Sequence, residues 1–215
     1  PVKLGFEFEF ASAQSHERIG DDCRGIFGSR NVGVVTSSYG AQHGGDYSKW
    51  AITGDSSINT EDGHPYKVEL VSPILTPANY ESNLDKVFEY LSRTRARTNS
   101  STGMHITVSH PQVSADFANF DIVKFALLLD DIGMTLKFRG TLTNHYTVST
   151  LHNWAKATRT AIVNKRFETN GFRLPYSGDP ELLFLLTSKE PAIRACVHSM
   201  EKYRSIHLGK ARNHL

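Results

Sequence analysis

The stretch Gly5–Phe10, G-F-E-F-E-F, places three phenylalanines and two carboxylates in strict alternation. Side chains alternate between the two faces of a β-strand, so the phenylalanines share one face while Glu7 and Glu9 share the other. The aromatic face belongs in a core. The acidic face has two interpretations: the solvated side of an antiparallel sheet, or a pair of ligands for a divalent cation. The neighbouring strands decide between them.

Three later segments also alternate apolar and polar residues, as half-buried strands do. They are Lys49–Ile58, Tyr66–Leu75 and Gly103–Ser109. The polar positions of the second include Glu69, and those of the third include His105. A carboxylate on a half-buried sheet face requires a positive partner, because an unpaired buried charge is expensive. Three carboxylates and an imidazole on neighbouring strands are therefore compatible with a site for one or two magnesium or manganese ions.

Helical periodicity predicts the remaining elements. A helix is expected near Ser15–Phe27, and an amphipathic helix with a basic last turn is expected over Asn79–Arg97. The Gly- and Ser-rich residues 28–48 predict a loop or hairpin able to cover a site. Further helices are predicted over residues 117–138, 150–169, 179–188 and 191–202. Strands first and helices later indicate an α+β fold, in which an antiparallel sheet is covered by helices on one face.

Composition excludes several classes of protein. The 215 residues carry 24 basic and 22 acidic side chains, too even a balance to predict a nucleic-acid partner. No apolar run approaches the length of a membrane-spanning helix, so no membrane partner is expected. Cys23 and Cys196 lack C-x-x-C spacing, which argues against a thiolate zinc site and favours a reducing compartment. The length suits one domain over residues 1–215, expected in the cytoplasm.

Five short motifs, in order along the chain, carry a resemblance to a known family. They are G-F-E-F-E-F, W-A-I-T-G-D-S-S-I, V-E-L-V-S-P-I-L, T-G-M-H-I-T-V-S and K-Y-R-S-I-H-L. In these motifs the chain resembles the amidoligase family of carboxylate–amine ligases. The resemblance implies a glutamine-synthetase-like fold, whose antiparallel sheet forms a half-open barrel with helices on its outer face. It also implies ATP with Mg²⁺ or Mn²⁺ on the polar inner face, and a ligase that joins carboxylate and amine groups of small molecules or peptides through an acyl-phosphate.

The resemblance implies roles for individual residues. Glu7 and Glu9 match the first-strand acid pair of the family, and Glu69 matches the acid of its E-x-x-S-P motif. His105 matches the first histidine of its G-x-H-x-H strand. All four are expected to be metal ligands. In addition, Glu7 and Glu69 are expected to act in catalysis, and Glu9 and His105 to contact the nucleotide.

Two arginines near the end of the chain complete the expected site. Arg204 lies where the family carries a basic or polar residue before its closing strand, and it is expected to contact phosphate during catalysis. Arg212 is expected to bind the nucleotide. For both arginines, a solvated position at a helix end is the alternative.

Two departures from the family pattern leave a second function open. Thr107 stands at the second histidine of the G-x-H-x-H strand, and the family's closing E-F-R-like strand would begin where the chain ends, so the domain is expected to lack its last strand. The alternative is a ligase-derived structural or binding component of a larger assembly, such as a phage particle, located in the virion. A metal-dependent hydrolase is a third possibility. Asp55, in the W-x-x-x-x-D-x-S pattern, is either a turn residue or a functional one.

Overall fold

The computed structural model describes residues 2–39, 46–60 and 62–112. The chain divides into two compact units, Pro1–Val113 and Ser114–Leu215, and all described residues belong to the first. The predicted later helices lie outside the described residues, so one domain over residues 1–215 stays a prediction. No helix in the described ranges is long and apolar enough to cross a membrane.

The described unit contains one five-stranded sheet, two α-helices and a single-turn 3-10 helix at Ser29–Asn31. Its elements are β1 (Lys3–Ser12), α1 (His16–Phe27), β2 (Val32–Tyr39), β3 (Trp50–Gly54), β4 (Tyr66–Val71), α2 (Tyr80–Thr94) and β5 (Met104–Ser109). The strand order in the sheet is β2-β3-β4-β1-β5. β1 pairs antiparallel with β4 and β5, and β3 pairs antiparallel with β4. Within the described residues the sheet is open.

The α+β class is confirmed, but the prediction of an antiparallel sheet is wrong at one edge. β2 runs parallel to β3. It lies within residues 28–48, the segment predicted to be a loop or hairpin. Glycine and serine suggested a loop there, whereas the β-branched residues around Val35 fit a strand. Packing reinforces the strand, because α1 approaches β2 so closely at Gly20 that a Cβ there would lie 2.8 Å from the Val35 side chain. The sheet is therefore mixed.

One face of the sheet forms the core with the two helices, as the alternation in β1 predicts. Phe6 stacks on Tyr80 of α2 with ring centroids 6.5 Å apart, and Phe8 meets Phe88 of the same helix edge-on at 5.9 Å. The other buried apolar residues of this cluster are Phe10, Ile19, Cys23, Phe27, Val32, Trp50, Ile52, Val68, Leu70, Leu75, Val87 and Tyr90. Because side chains alternate, the polar residues of the central strands lie on the face opposite the helices.

The helices begin and end close to the predicted residues. Ser15 caps α1, since its hydroxyl oxygen accepts a hydrogen bond from the backbone N–H of Arg18 at 3.3 Å. α2 ends at Thr94, three residues before the predicted end. Arg95 adopts a left-handed conformation with φ of 55°, and its N–H bonds back to the carbonyls of the last turn. This conformation terminates a helix whatever the apolar periodicity beyond it.

The edge strand β5 differs from the central strands. Met104 and Ile106 pair with Phe8 and Phe6, so they lie on the helix side of the sheet, as predicted. Their exposed fractions are nevertheless 45% and 53%. All six residues of β5 are exposed, which leaves both of its faces accessible.

Candidate functional site

The sheet register aligns the candidate residues in two rows across the strands. In the first row Thr53 of β3 lies opposite Glu69 of β4, and Glu69 lies opposite Glu9 of β1. In the second row Glu7 of β1 lies opposite His105 of β5. The two rows are two residues apart on β1, so both project from the face opposite the core. The four predicted ligands of the described chain therefore share one face.

Glu9, Glu69 and Asp55 form a cluster of carboxylates. One carboxylate oxygen of each lies within 4.8 Å of such an oxygen in the other two. Asp55 follows β3 directly and is buried, with 8% of its surface exposed. Carboxylates held this close repel one another, and acids directly opposite across a sheet destabilise the strand pair. Protons or a cation must offset that repulsion.

Hydrogen bonds from the protein hold one oxygen of Glu69 and one oxygen of Asp55. The Thr53 hydroxyl donates to Oε2 of Glu69 at 3.0 Å. The backbone N–H of Ser57 donates to Oδ1 of Asp55 at 2.7 Å, which closes a turn. Asp55 therefore forms the turn after β3, and its carboxylate also borders the glutamates, while a functional role for Asp55 stays a prediction.

Burial raises the pKa of both glutamates in the cluster. Desolvation raises the pKa of Glu69 to about 7, although the hydrogen bond from Thr53 acts in the opposite direction. Desolvation is also the main reason that the pKa of Glu9 is raised, while His105 and a backbone hydrogen bond from Gly103 favour its ionised form. In the absence of a cation, Glu69 therefore carries a proton for much of the time at neutral pH.

His105 lies between the acids of the two rows. Its Nδ1 is 3.1 Å from Oε2 of Glu7, and its Nε2 is 3.6 Å from Oε1 of Glu9. The hydrogen bond with Glu7 raises the pKa of His105, despite the opposing effect of burial. The charged imidazolium is thus favoured, whereas coordination of a metal through a ring nitrogen requires the neutral ring. The His105 side chain is 54% exposed and that of Glu7 is 33% exposed, whereas that of Glu9 is 9% exposed. Glu7 and His105 therefore lie on the solvent side of the carboxylate cluster.

Sequence reasoning left two residues of this face unassigned or open. From the sequence, Asp55 is either a turn residue or a functional one, and no role is predicted for Thr53. The alternation within W-A-I-T-G-D-S contains a usable signal, because it places Thr53 on the face opposite Trp50 and Ile52. The proximity of Asp55 to the glutamates depends on strand register, which the motif does not contain. Arg204 and Arg212 lie outside the described residues.

Comparison with known proteins gives a family. The family model described as "Putative amidoligase enzyme" matches residues 1–134, which is more than half of the chain and includes the whole described sheet. Comparisons with curated proteins and with solved structures gave no significant match. The family match agrees with the resemblance carried by the sequence motifs. This chain belongs to the amidoligase family.

Proposed function

We propose that this protein is an ATP-dependent carboxylate–amine ligase that binds Mg²⁺ or Mn²⁺ at Glu9, Asp55 and Glu69. The observation that carries the proposal is the three-carboxylate cluster on one face of the sheet, in a chain of the amidoligase family. Family membership supports ligase-type chemistry. The cluster supports the involvement of a hard divalent cation, because such ions select carboxylate oxygens.

The donor set fits a small octahedral cation. Oxygen ligands about 2.1 Å from Mg²⁺ lie roughly 3.0 to 4.2 Å from one another, according to whether they are adjacent or opposite. The three carboxylate oxygens lie within 4.8 Å of one another, so small side-chain movements would bring them into that range. Carboxylates from three protein residues leave coordination positions for water and for phosphate oxygens.

When bound, the cation would supply positive charge that offsets repulsion between ATP and the substrate carboxylate. In the proposed reaction, a carboxylate oxygen attacks the γ-phosphorus of ATP and the bond to ADP breaks. The amine nitrogen then attacks the acyl carbon, inorganic phosphate leaves, and the nitrogen releases a proton. Glu7 and His105 would contact the incoming substrates, because they lie beside the cluster on its solvent side.

Several finer expectations belong to the same proposal. The described open sheet would be part of a half-open, glutamine-synthetase-like barrel, and Arg204 and Arg212 would contact phosphate. The carboxylate and amine would be those of small molecules or peptides. The protein would act in the cytoplasm, where ATP is available, without nucleic-acid or membrane partners.

Binding and turnover test the proposal in two steps. Isothermal titration should detect ATP binding that depends on Mg²⁺ or Mn²⁺ and is lost in Glu69→Gln. Hydroxylamine can then replace the amine, because it converts an acyl-phosphate into a hydroxamate while ADP and phosphate are released. Glu89→Gln, an exposed change on α2, is the matched control. Absence of both cation binding and nucleotide binding in the full chain would overturn the proposal.

A second candidate function is a ligase-derived binding or structural component of a larger assembly, such as a phage particle. Thr107 favours it, because this residue occupies an exposed position on β5 where the family pattern has a histidine. Such a protein would bind neither cation nor nucleotide in the titration. The same measurement therefore distinguishes the two functions.

A further inference from the structure

Thr53 is placed to control how Glu69 presents its carboxylate. Its hydroxyl donates to Oε2 of Glu69 at 3.0 Å, and the two residues lie directly opposite each other on β3 and β4. One oxygen of Glu69 is therefore engaged by the protein, while the carboxylate also belongs to the cluster with Glu9 and Asp55. Asp55 has the same arrangement, because its Oδ1 is engaged by the Ser57 N–H.

We propose that Thr53 is a positioning residue that holds Glu69 as a monodentate ligand and so makes the cluster prefer Mg²⁺ to Ca²⁺. The inference rests on the proposed function, since it assumes that the cluster binds a divalent cation. It adds a role for Thr53, and it names the cation that the hydrogen bond selects against.

Coordination chemistry supplies the reason for the preference. Mg²⁺ demands near-ideal octahedral geometry at 2.0–2.1 Å, and the two oxygens of one carboxylate are too close together to occupy two such positions. Ca²⁺ accepts six to eight oxygens at longer distances and often takes both oxygens of one carboxylate. The hydrogen bond from Thr53 competes with Oε2 of Glu69 serving as a second ligand of the same cation, which disfavours Ca²⁺ more than Mg²⁺. Outer hydrogen-bond partners of this kind also orient the ligand itself.

The position of the Thr53 hydroxyl is fixed by its surroundings. Thr53 is 1% exposed, and its branched side chain has few rotamers in a strand. The backbone beside it is also constrained, because a Cβ on Gly54 would clash with the carbonyl oxygen of Ser37 on β2. β3 is thus held close to β2 on one side while Thr53 faces Glu69 on the other. A hydroxyl fixed in this way can set the geometry of a ligand.

The test uses the full chain with Mg²⁺ alone and Ca²⁺ alone as titrants, and compares the ratio of their Kd values. Thr53→Val keeps the shape of the side chain and removes the donor. We expect it to weaken Mg²⁺ binding about 10-fold, the lower end of the usual cost of losing an outer partner, and to weaken Ca²⁺ binding less. Thr53→Ser keeps the hydroxyl and should leave the ratio unchanged.

The ratio of the Kd values for Mg²⁺ and Ca²⁺ distinguishes a change in cation selectivity from a change in the protonation of Glu69. Losing the hydrogen bond also raises the pKa of Glu69, because that bond favours the ionised form. Both cations need the deprotonated carboxylate, so at a single pH this effect cancels in the ratio. A change in the ratio therefore reports on coordination, which a merely structural role of Thr53 would not alter.

The possible outcomes are distinct. An unchanged ratio in Thr53→Val, with both cations still bound, overturns the role of Thr53 and leaves the proposed function standing. Wild-type protein that binds neither cation overturns both. If Thr53→Val does not fold, the infrared carboxylate stretches of the wild-type Ca²⁺ complex decide, since their separation is larger for monodentate than for bidentate carboxylates. A bidentate signature at Glu69, identified by its loss in Glu69→Gln, would overturn the inference.

Discussion

Replacing Glu69 with glutamine should stabilise the protein when no divalent cation is present. Glu69 lies opposite Glu9 across the sheet, and its burial raises the pKa to about 7 from an ordinary 4.5. When the folded-state pKa exceeds the unfolded one, the folded protein binds more protons. Stability therefore falls as the pH rises from about 4.5 to about 7, and the full cost is present above that range. Glutamine keeps the shape of the side chain and removes the charge.

The magnitude follows from the two pKa values. At 1.36 kcal/mol for each pH unit, a pKa of about 7 instead of 4.5 corresponds to roughly 3 kcal/mol. Glu69 is only half-buried, so solvent screens part of the charge and reduces this figure to about 1–2 kcal/mol. For a chain of 215 residues, 1 kcal/mol changes Tm by about 2–4 °C. Glu69→Gln should therefore raise Tm at pH 8 by about 2–8 °C.

Thermal unfolding followed by circular dichroism, in buffer containing EDTA, measures this effect at pH 5 and pH 8. At pH 5 the wild-type Glu69 is largely protonated in the folded state, so the gain in Tm should be much smaller there. The matched control is Glu89→Gln, which removes a carboxylate from an exposed position of α2. A lower Tm for Glu69→Gln at pH 8, or an equal gain at both pH values, would refute the reasoning.

Three further predictions concern the same sheet. Adding Mg²⁺ at 100 times its Kd should stabilise the wild-type protein at pH 8 by about 2.7 kcal/mol and leave Asp55→Asn nearly unchanged, as thermal unfolding can show. Gly54→Ala should destabilise by about 1–3 kcal/mol in urea unfolding, because the new Cβ would meet the Ser37 carbonyl; unaltered stability would contradict this close approach. Folding raises the pKa of His105, so its protonated side chain stabilises the fold fully below pH about 6.5. This contribution is lost as the pH rises through the pKa of His105 in the folded state. His105→Gln should therefore cost up to about 1 kcal/mol in urea unfolding at pH 6 and less at pH 9, and an equal loss at both would argue against the ion pair.

The faces of the strands were predictable from the sequence because side-chain alternation is a local property. It places Phe6 and Phe8 in the core and Glu9 on the opposite face without knowledge of any partner strand. The ends of α1 and α2 were predictable to within three residues. The left-handed conformation of Arg95, which ends α2, is not marked by a glycine.

Other parts of the site depend on contacts between distant segments, which local patterns do not contain. The approach of Asp55 to the glutamates follows from the register between β3 and β4, and the assignment of β2 as a parallel strand follows from its pairing with β3. A serine- and glycine-containing strand also resembles a loop in composition. The same dependence on pairing explains why Thr53 could not be recognised as a partner of Glu69 from its motif alone.

The position of β1 between β4 and β5 has a kinetic consequence. Glu9 pairs with Glu69 and Glu7 pairs with His105, so the site is assembled from segments that are far apart along the chain. Pairings over such separations form slowly during folding, because long loops must first be closed. Before that step the ligands are dispersed and offer a cation little affinity. A bound cation should consequently slow the unfolding of the sheet and leave its folding rate almost unchanged.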